Sequence, residues 1–230
     1  MTLPSRFLLL RLAACIALLP AMAPPEAARA ASGQPVQAPA PPLPPLAAPA
    51  PAPSPDPALE RAQAAAAAFH GRLRTRLQAA LRDGGPVAAI AICHDEAPRI
   101  AATVMAGYGV RLGRVALPGL NRNPAQAATG WQLDTLRDFQ QAVDGGGTAA
   151  AQQAVLRNRL PAGVLLRTMR GIATEPACLA CHGRELAAPV REAIRARYPG
   201  DGATGFDVGD LRGALWVEAP ADSFPTGATR

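Results

Sequence analysis

Residues 163–218 read GVLLRTMRGIATEPACLACHGRELAAPVREAIRARYPGDGATGFDVGDLRGALWVE. Residues 163–172 read as a strand, 189–197 as a helix and 211–218 as a closing strand. Upstream, residues 131–143 place Leu133, Leu136, Phe139 and Val143 on one helical face, and Gly145-Gly146-Gly147 breaks the chain behind them. Residues 109–115 read as a short strand and Asn121-Arg122-Asn123-Pro124 as a loop. Further back, Ile90, Cys93, Ala97, Ile100, Ala101 and Val104 recur at three- and four-residue steps, which predicts a helical segment over 86–105. Residues 58–81 are rich in alanine, leucine, glutamine and arginine and end at Asp83-Gly84-Gly85, which predicts a long N-terminal helix. Helices come early and late, with strands between and after, so the fold class is α+β.

Composition bounds what such a chain can be. Of its 230 residues 49% are hydrophobic and 17% charged, too apolar and too weakly charged for a wholly disordered protein. The length allows one domain and a small appendage. Proline is abundant at 25 residues, but 11 of these lie between Pro35 and Pro57, so the excess is local. All basic residues are arginine, the net charge of +6 is mild, and no basic run occurs, which argues against nucleic-acid binding.

The N-terminus reads as an address. A short basic start, Met1 to Arg6, precedes an apolar stretch from Phe7 to Ala23, and Ala28-Arg29-Ala30 offers a small-residue cleavage site. That is the pattern of a secretory signal over residues 1–30, removed to leave a periplasmic or secreted protein. Arg11, Pro20 and Pro24 interrupt the apolar run, which argues against a stable membrane span. Leu12-Ala13-Ala14-Cys15 resembles a lipobox, an alternative that would anchor the protein through Cys15; against it, the apolar run continues past that residue. Residues 31–57 alternate alanine and proline with almost no charge, the composition of a disordered, semi-rigid spacer. The domain then occupies 58–230.

Within that domain Cys178-Leu179-Ala180-Cys181-His182 has the Cys-x-x-Cys-His spacing of covalent c-type haem attachment. On a helical turn, positions i, i+3 and i+4 share a face, so two sulfurs and an imidazole point one way. Each cysteine can form a thioether with a haem vinyl group. His182 then reaches the iron, its other ring nitrogen free to donate to a carbonyl that fixes its orientation. Three other readings compete. The pair could be a thioredoxin-like redox couple, though no βαβ pattern surrounds it. It could be a plain disulfide. It could be half of a zinc site completed by Cys93 and His182, though adjacent Cys181 and His182 are awkward partners on one tetrahedral ion.

The opposite face of the iron has five candidate ligands: Cys93, His94, His70, Met105 and Met169. Removal of the signal takes Cys15 with it and leaves three cysteines. With two in thioethers, Cys93 is the odd thiol in an oxidising compartment. Coordination would protect it; the alternative is an inert buried thiol.

Ala89-Ile90-Ala91-Ile92-Cys93, Ala97-Pro98-Arg99-Ile100-Ala101, Arg122-Asn123-Pro124, the haem motif through Gly183, Tyr198-Pro199 and Gly209-Asp210-Leu211-Arg212-Gly213-Ala214 occur in that order. As a set they resemble the exported c-type haem domains with a PAS-like fold, the Tll-like haem-binding family, over most of residues 58–220. The resemblance implies an antiparallel sheet flanked by helices, one covalent haem c per chain, and a Cys/His axial pair that carries over to Cys93 and His182. It also implies redox or gas sensing, with an unidentified redox or signalling protein as partner. One departure is Gln126, where the pattern has a second asparagine.

A thiolate beside ferric iron favours the oxidised state relative to a Met/His site. Arg99, Arg114, Arg122 and Arg212 are candidates to pair with haem propionates. The sequence therefore reads first as an exported monohaem module for sensing or electron transfer, not an enzyme. The competing class is an exported thiol–disulfide oxidoreductase working through Cys178 and Cys181; a zinc-stabilised structural domain is the third.

Overall fold

The computed structural model describes residues 56–221. The signal (1–30), Cys15 and nearly all of the spacer lie outside them.

Helix α1 (Pro57–Ala91) starts where the spacer ends. Asp56 caps it, its carboxylate accepting from Ala58 N at 2.9 Å and Leu59 N at 3.1 Å, and Pro57 takes the first turn, where its missing N–H costs nothing. Pro57, grouped with the spacer by composition, therefore opens the domain. Ala58, Ala62, Ala65, Phe69 and Leu73 form its buried stripe. The helix breaks at Gly85, whose φ of 69° and ψ of −167° are non-helical, and Pro86 restarts it. The two helices expected from the sequence are thus joined by a sharp kink, not a loop.

The segment expected as one helix over 86–105 is in three pieces. The end of α1 runs into a π-helical turn, Ile92–Glu96, and then into α2 (Ala97–Tyr108), which Gly109 terminates in the left-handed conformation with φ 61°. The π turn rotates the apolar stripe between two clusters. Ile90, before the turn, packs with Val190, Ile194 and Tyr198. Ala97 and Val104, after it, pack with Leu112, Leu166 and Val217 of the sheet.

The sheet comprises β1 (Arg111–Val115), β2 (Gln153–Leu156), β3 (Val164–Ala173) and β4 (Leu211–Pro220), in the order β1-β4-β3-β2 with every pair antiparallel. The class is α+β, with an antiparallel sheet flanked by helices and a long helix at the N-terminal end. Alternation along β4 assigns its faces. Leu215, Val217 and Ala219 face α1 and α2. Ala214 and Trp216 face α3 (Trp131–Asp144), whose Leu136 and Phe139 are buried. Strand β2 has no counterpart in the sequence reading: it is a four-residue edge strand with alternating exposure, too short to give a periodic signal. Between β3 and β4 lie a 3₁₀ turn (Pro176–Cys178), α4 (Leu179–His182) and α5 (Ala188–Arg197).

Candidate functional site

A cavity of about 340 Å³ opens between the π turn, α2, strands β1 and β4, and the chain that follows α4. Its wall brings together residues remote in sequence: Cys93 from the π turn, Arg114 from β1, Arg122 from the loop after β1, His182 at the end of α4, Tyr198 after α5, and Arg212 from β4. Two glycines make room. Trp216 packs over Gly113, where an added Cβ would lie 3.0 Å from the indole nitrogen, and Gly213 (φ 147°) lets β4 approach the Val115 carbonyl too closely for any side chain.

The Cys-x-x-Cys-His motif is helical, but not one helix throughout. Cys178 closes the 3₁₀ turn and caps α4, while Cys181 and His182 lie within α4. The Glu175 N–H donates to Cys178 Sγ at 3.4 Å. Cys181 packs against the Ile90, Val190, Ile194 and Tyr198 cluster, its thiol 3.9 Å from the Pro86 carbonyl. Burial, partly offset by Arg122, pushes its pKa up. No disulfide joins Cys93, Cys178 and Cys181.

His182 is held from one side. Its Nδ1 donates to the Ala203 carbonyl at 2.7 Å, and its ring meets Phe206 edge to face, centroids 6.4 Å apart. Burial first, then the charges of Arg212 and Arg122, drive its pKa well below the ordinary histidine value. The imidazole is therefore neutral at pH 7, with Nδ1 carrying the proton and Nε2 left as a lone-pair donor.

The five candidate partners for His182 separate cleanly. Cys93 lines the cavity. His94, one residue on, faces away: it is exposed, bonds Asp95 at 2.6 Å and lies against the edge of Tyr198. Met169 is buried with Leu136 and Phe139 in the cluster under α3, and Met105 packs on the α1–α2 side. Neither methionine nor His70 reaches the cavity wall. Among the described residues no three His, Cys, Asp or Glu side chains are grouped to hold a metal, so the zinc set with Cys93 and His182 is not assembled.

The four arginines also divide. Arg99 does not line the cavity. Arg122, a candidate for cofactor carboxylates, is already committed: it is buried, pairs with Asp201 through Nε at 3.0 Å, and donates from Nη2 to the Cys181 carbonyl at 2.6 Å. Arg212 is the opposite case. Its Nε is buried without a hydrogen-bond partner, and burial, reinforced by the neighbouring Arg114 charge, pulls its pKa down to about 10. A desolvated cation without a counter-charge is costly, and an anion at this corner of the wall would offset that cost. Sequence reasoning missed Asp201 and Ala203, which carry no motif of their own. It noted Tyr198 only as part of a resemblance; burial and the nearby Cys93 push its phenol up to about 12. No helix among the described residues is long and apolar enough to cross a membrane.

Residues 57–220 match the family described as Tll0287-like. Among solved structures, the chain is similar to the cyanobacterial heme-protein Tll0287, at 29% identity over 55% of this chain and 70% of that one, with a TM-score of 0.44. No curated protein matches.

Proposed function

Because the chain belongs to the Tll0287-like family, we propose that it is an exported haem-binding protein, holding one haem c through thioethers at Cys178 and Cys181 and acting in redox or gas sensing or in electron transfer. His182 and Cys93 are the axial ligands in this reading, and PAS-like describes the fold that carries them. The observation that carries the proposal is the cavity they share: of the five possible partners for His182, Cys93 alone lies on the same wall. The donor set also fits the group. A neutral imidazole with Nε2 free, a thiol on a π turn and an arginine whose Nε is buried and unpartnered suit an iron porphyrin bearing carboxylates.

When bound, haem supplies an iron that exchanges one electron. The chain's own residues do the rest. His182 presents Nε2 because Nδ1 is taken. Arg212 and Arg114 offer charge to carboxylates. Cys93, as a thiolate, favours the oxidised state, and its position on the π turn links any loss of that ligand to α2. The thiol–disulfide alternative is less well served, since every strand pair among the described residues is antiparallel and no βαβ unit of the thioredoxin kind carries the pair.

The test is the full chain secreted from a host with haem-attachment machinery. One haem of added mass and a low-spin thiolate signature in electron paramagnetic resonance are expected. Cys93→Ala should keep the mass and lose the thiolate signature; its persistence would remove Cys93 as ligand. A colourless product with Cys178 and Cys181 titrating as a reducible pair would favour the oxidoreductase.

A further inference from the structure

The carbonyl that fixes His182 is itself fixed by a buried ion pair. Arg122 and Asp201 are each 9% exposed at the side chain, and their contact is bidentate, Nε to Oδ1 at 3.0 Å and Nη2 to Oδ2 at 3.3 Å. Both partners then reach to the backbone around His182. Asp201 Oδ1 accepts from the Ala203 N–H at 2.9 Å. Arg122 Nη2 donates to the Ala203 carbonyl at 3.3 Å and to the Cys181 carbonyl at 2.6 Å. Ala203 thus has its N–H held by Asp201 and its oxygen shared between Arg122 and His182 Nδ1. The peptide joining Cys181 to His182 is held by the same guanidinium. The Tyr198 ring, 5.9 Å from the guanidinium carbon, closes the pocket over it.

We infer that Arg122 and Asp201 are positioning residues for the His182 imidazole, setting its plane and its Nδ1–H tautomer through Ala203 and the Cys181 carbonyl. Three features favour this over a general structural role. Arg122 comes from the loop after β1, with no covalent reason to lie at α4. A buried charge pair contributes little net stability against its desolvation cost, so stability alone does not account for it. All of the pair's backbone partners flank one side chain, His182. Planar, forked donors are also what the geometry needs, because one guanidinium must address a carboxylate and two carbonyls together; lysine, a point charge, cannot. The Ala203 oxygen is a divided acceptor. A cation drawing on it leaves less for the imidazole N–H, so the pair tempers how strongly Nε2 donates.

The inference deepens the proposed function and rests on it for the iron, though not for the imidazole. The experiment uses the full chain matured with haem, as wild type, Arg122→Lys, Arg122→Gln and Asp201→Asn. Haem mass and the Soret band report the functional reading; the low-spin resonance of the ferric protein reports the ring plane. The expected result is unchanged haem mass with a second or broadened low-spin signal in Arg122→Gln and Asp201→Asn, only partly corrected in Arg122→Lys. Metal-ligand support of this kind is typically worth about 10- to 100-fold in ligand affinity, so a high-spin fraction is also expected in the variants. A lower melting temperature with a resonance identical to wild type would overturn the inference, because a merely structural pair would give that. Asp201→Asn conserves volume and keeps the test alive should Arg122→Gln fail to fold. If wild type carries no haem, the functional reading fails, and nitrogen-15 resonances of the His182 ring decide the inference. A fixed Nδ1–H tautomer in wild type that becomes mixed in the variants upholds it; a tautomer indifferent to Arg122 and Asp201 overturns it.

Discussion

Arg212 shows how one side chain can take opposite signs in two forms of a protein. Its Nε is buried and unpartnered, and Arg114 adds a like charge nearby. Leaving such a group unsatisfied costs roughly 1–3 kcal/mol. Arg212→Met keeps the volume and removes the charge, so it should raise the denaturant midpoint of the haem-free full chain. In matured protein the same change should lower it, by removing a partner for carboxylates. Denaturation curves of both forms check this; a change of the same sign in both would refute Arg212 as an anion partner. Arg122, from the loop after β1, lies on the same wall yet is saturated by Asp201 and two carbonyls. Two arginines alike in sequence are thus unlike in chemistry.

At the scale of elements, the site depends on interruptions of regular structure. The Gly85 break and the π turn Ile92–Glu96 carry the chain from the α1 stripe to α2, and Cys93 sits on the turn between. On the opposite wall, β4 approaches β1 at Gly213, where φ is 147° and a Cβ would overlap the Val115 carbonyl. Gly213→Ala therefore meets both backbone strain and a steric clash. It should cost roughly 1–3 kcal/mol and disturb the β1–β4 pairing next to the cavity. Chemical denaturation measures the loss, and a neutral substitution would show that the strands separate there without penalty. By contrast, α3 and β2 carry no cavity residue except Gln132; they complete the fold and do not build the site.

Across the whole molecule, the buried core is mostly alanine, valine and leucine, with Phe69, Phe139, Phe206 and Tyr198 the buried aromatic side chains among the described residues. Ala97, Ala101 and Ala116 line the cavity beside Phe69 and Tyr198, and a large flat apolar group there would join the core. The secretory reading makes a separate prediction at this scale. Intact-mass measurement of purified, matured protein should give residues 31–230 plus one haem. A retained N-terminus would refute cleavage after Ala30, and a lipid-sized addition at Cys15 would favour anchoring.

Much of this is legible in the sequence because it rests on local rules. Helix-forming composition locates α1, periodicity locates α3, glycine and proline mark helix ends, and the Cys-x-x-Cys-His spacing nominates Cys178, Cys181 and His182 as candidates. Spacing cannot decide what His182 faces. Cys93 and His94 are neighbours with equal claims in one dimension, and a π turn, stabilised by packing on both sides, points one to the cavity and leaves the other at the surface. Nor can composition tell the saturated Arg122 from the orphaned Arg212, because a hydrogen-bond partner is a matter of long-range closure. Local propensity and motif chemistry determined the elements and the candidate residues; only the tertiary fold, with β4 beside β1 and α4 packed against α1 and α5, decided that Cys93 and His182 line one cavity.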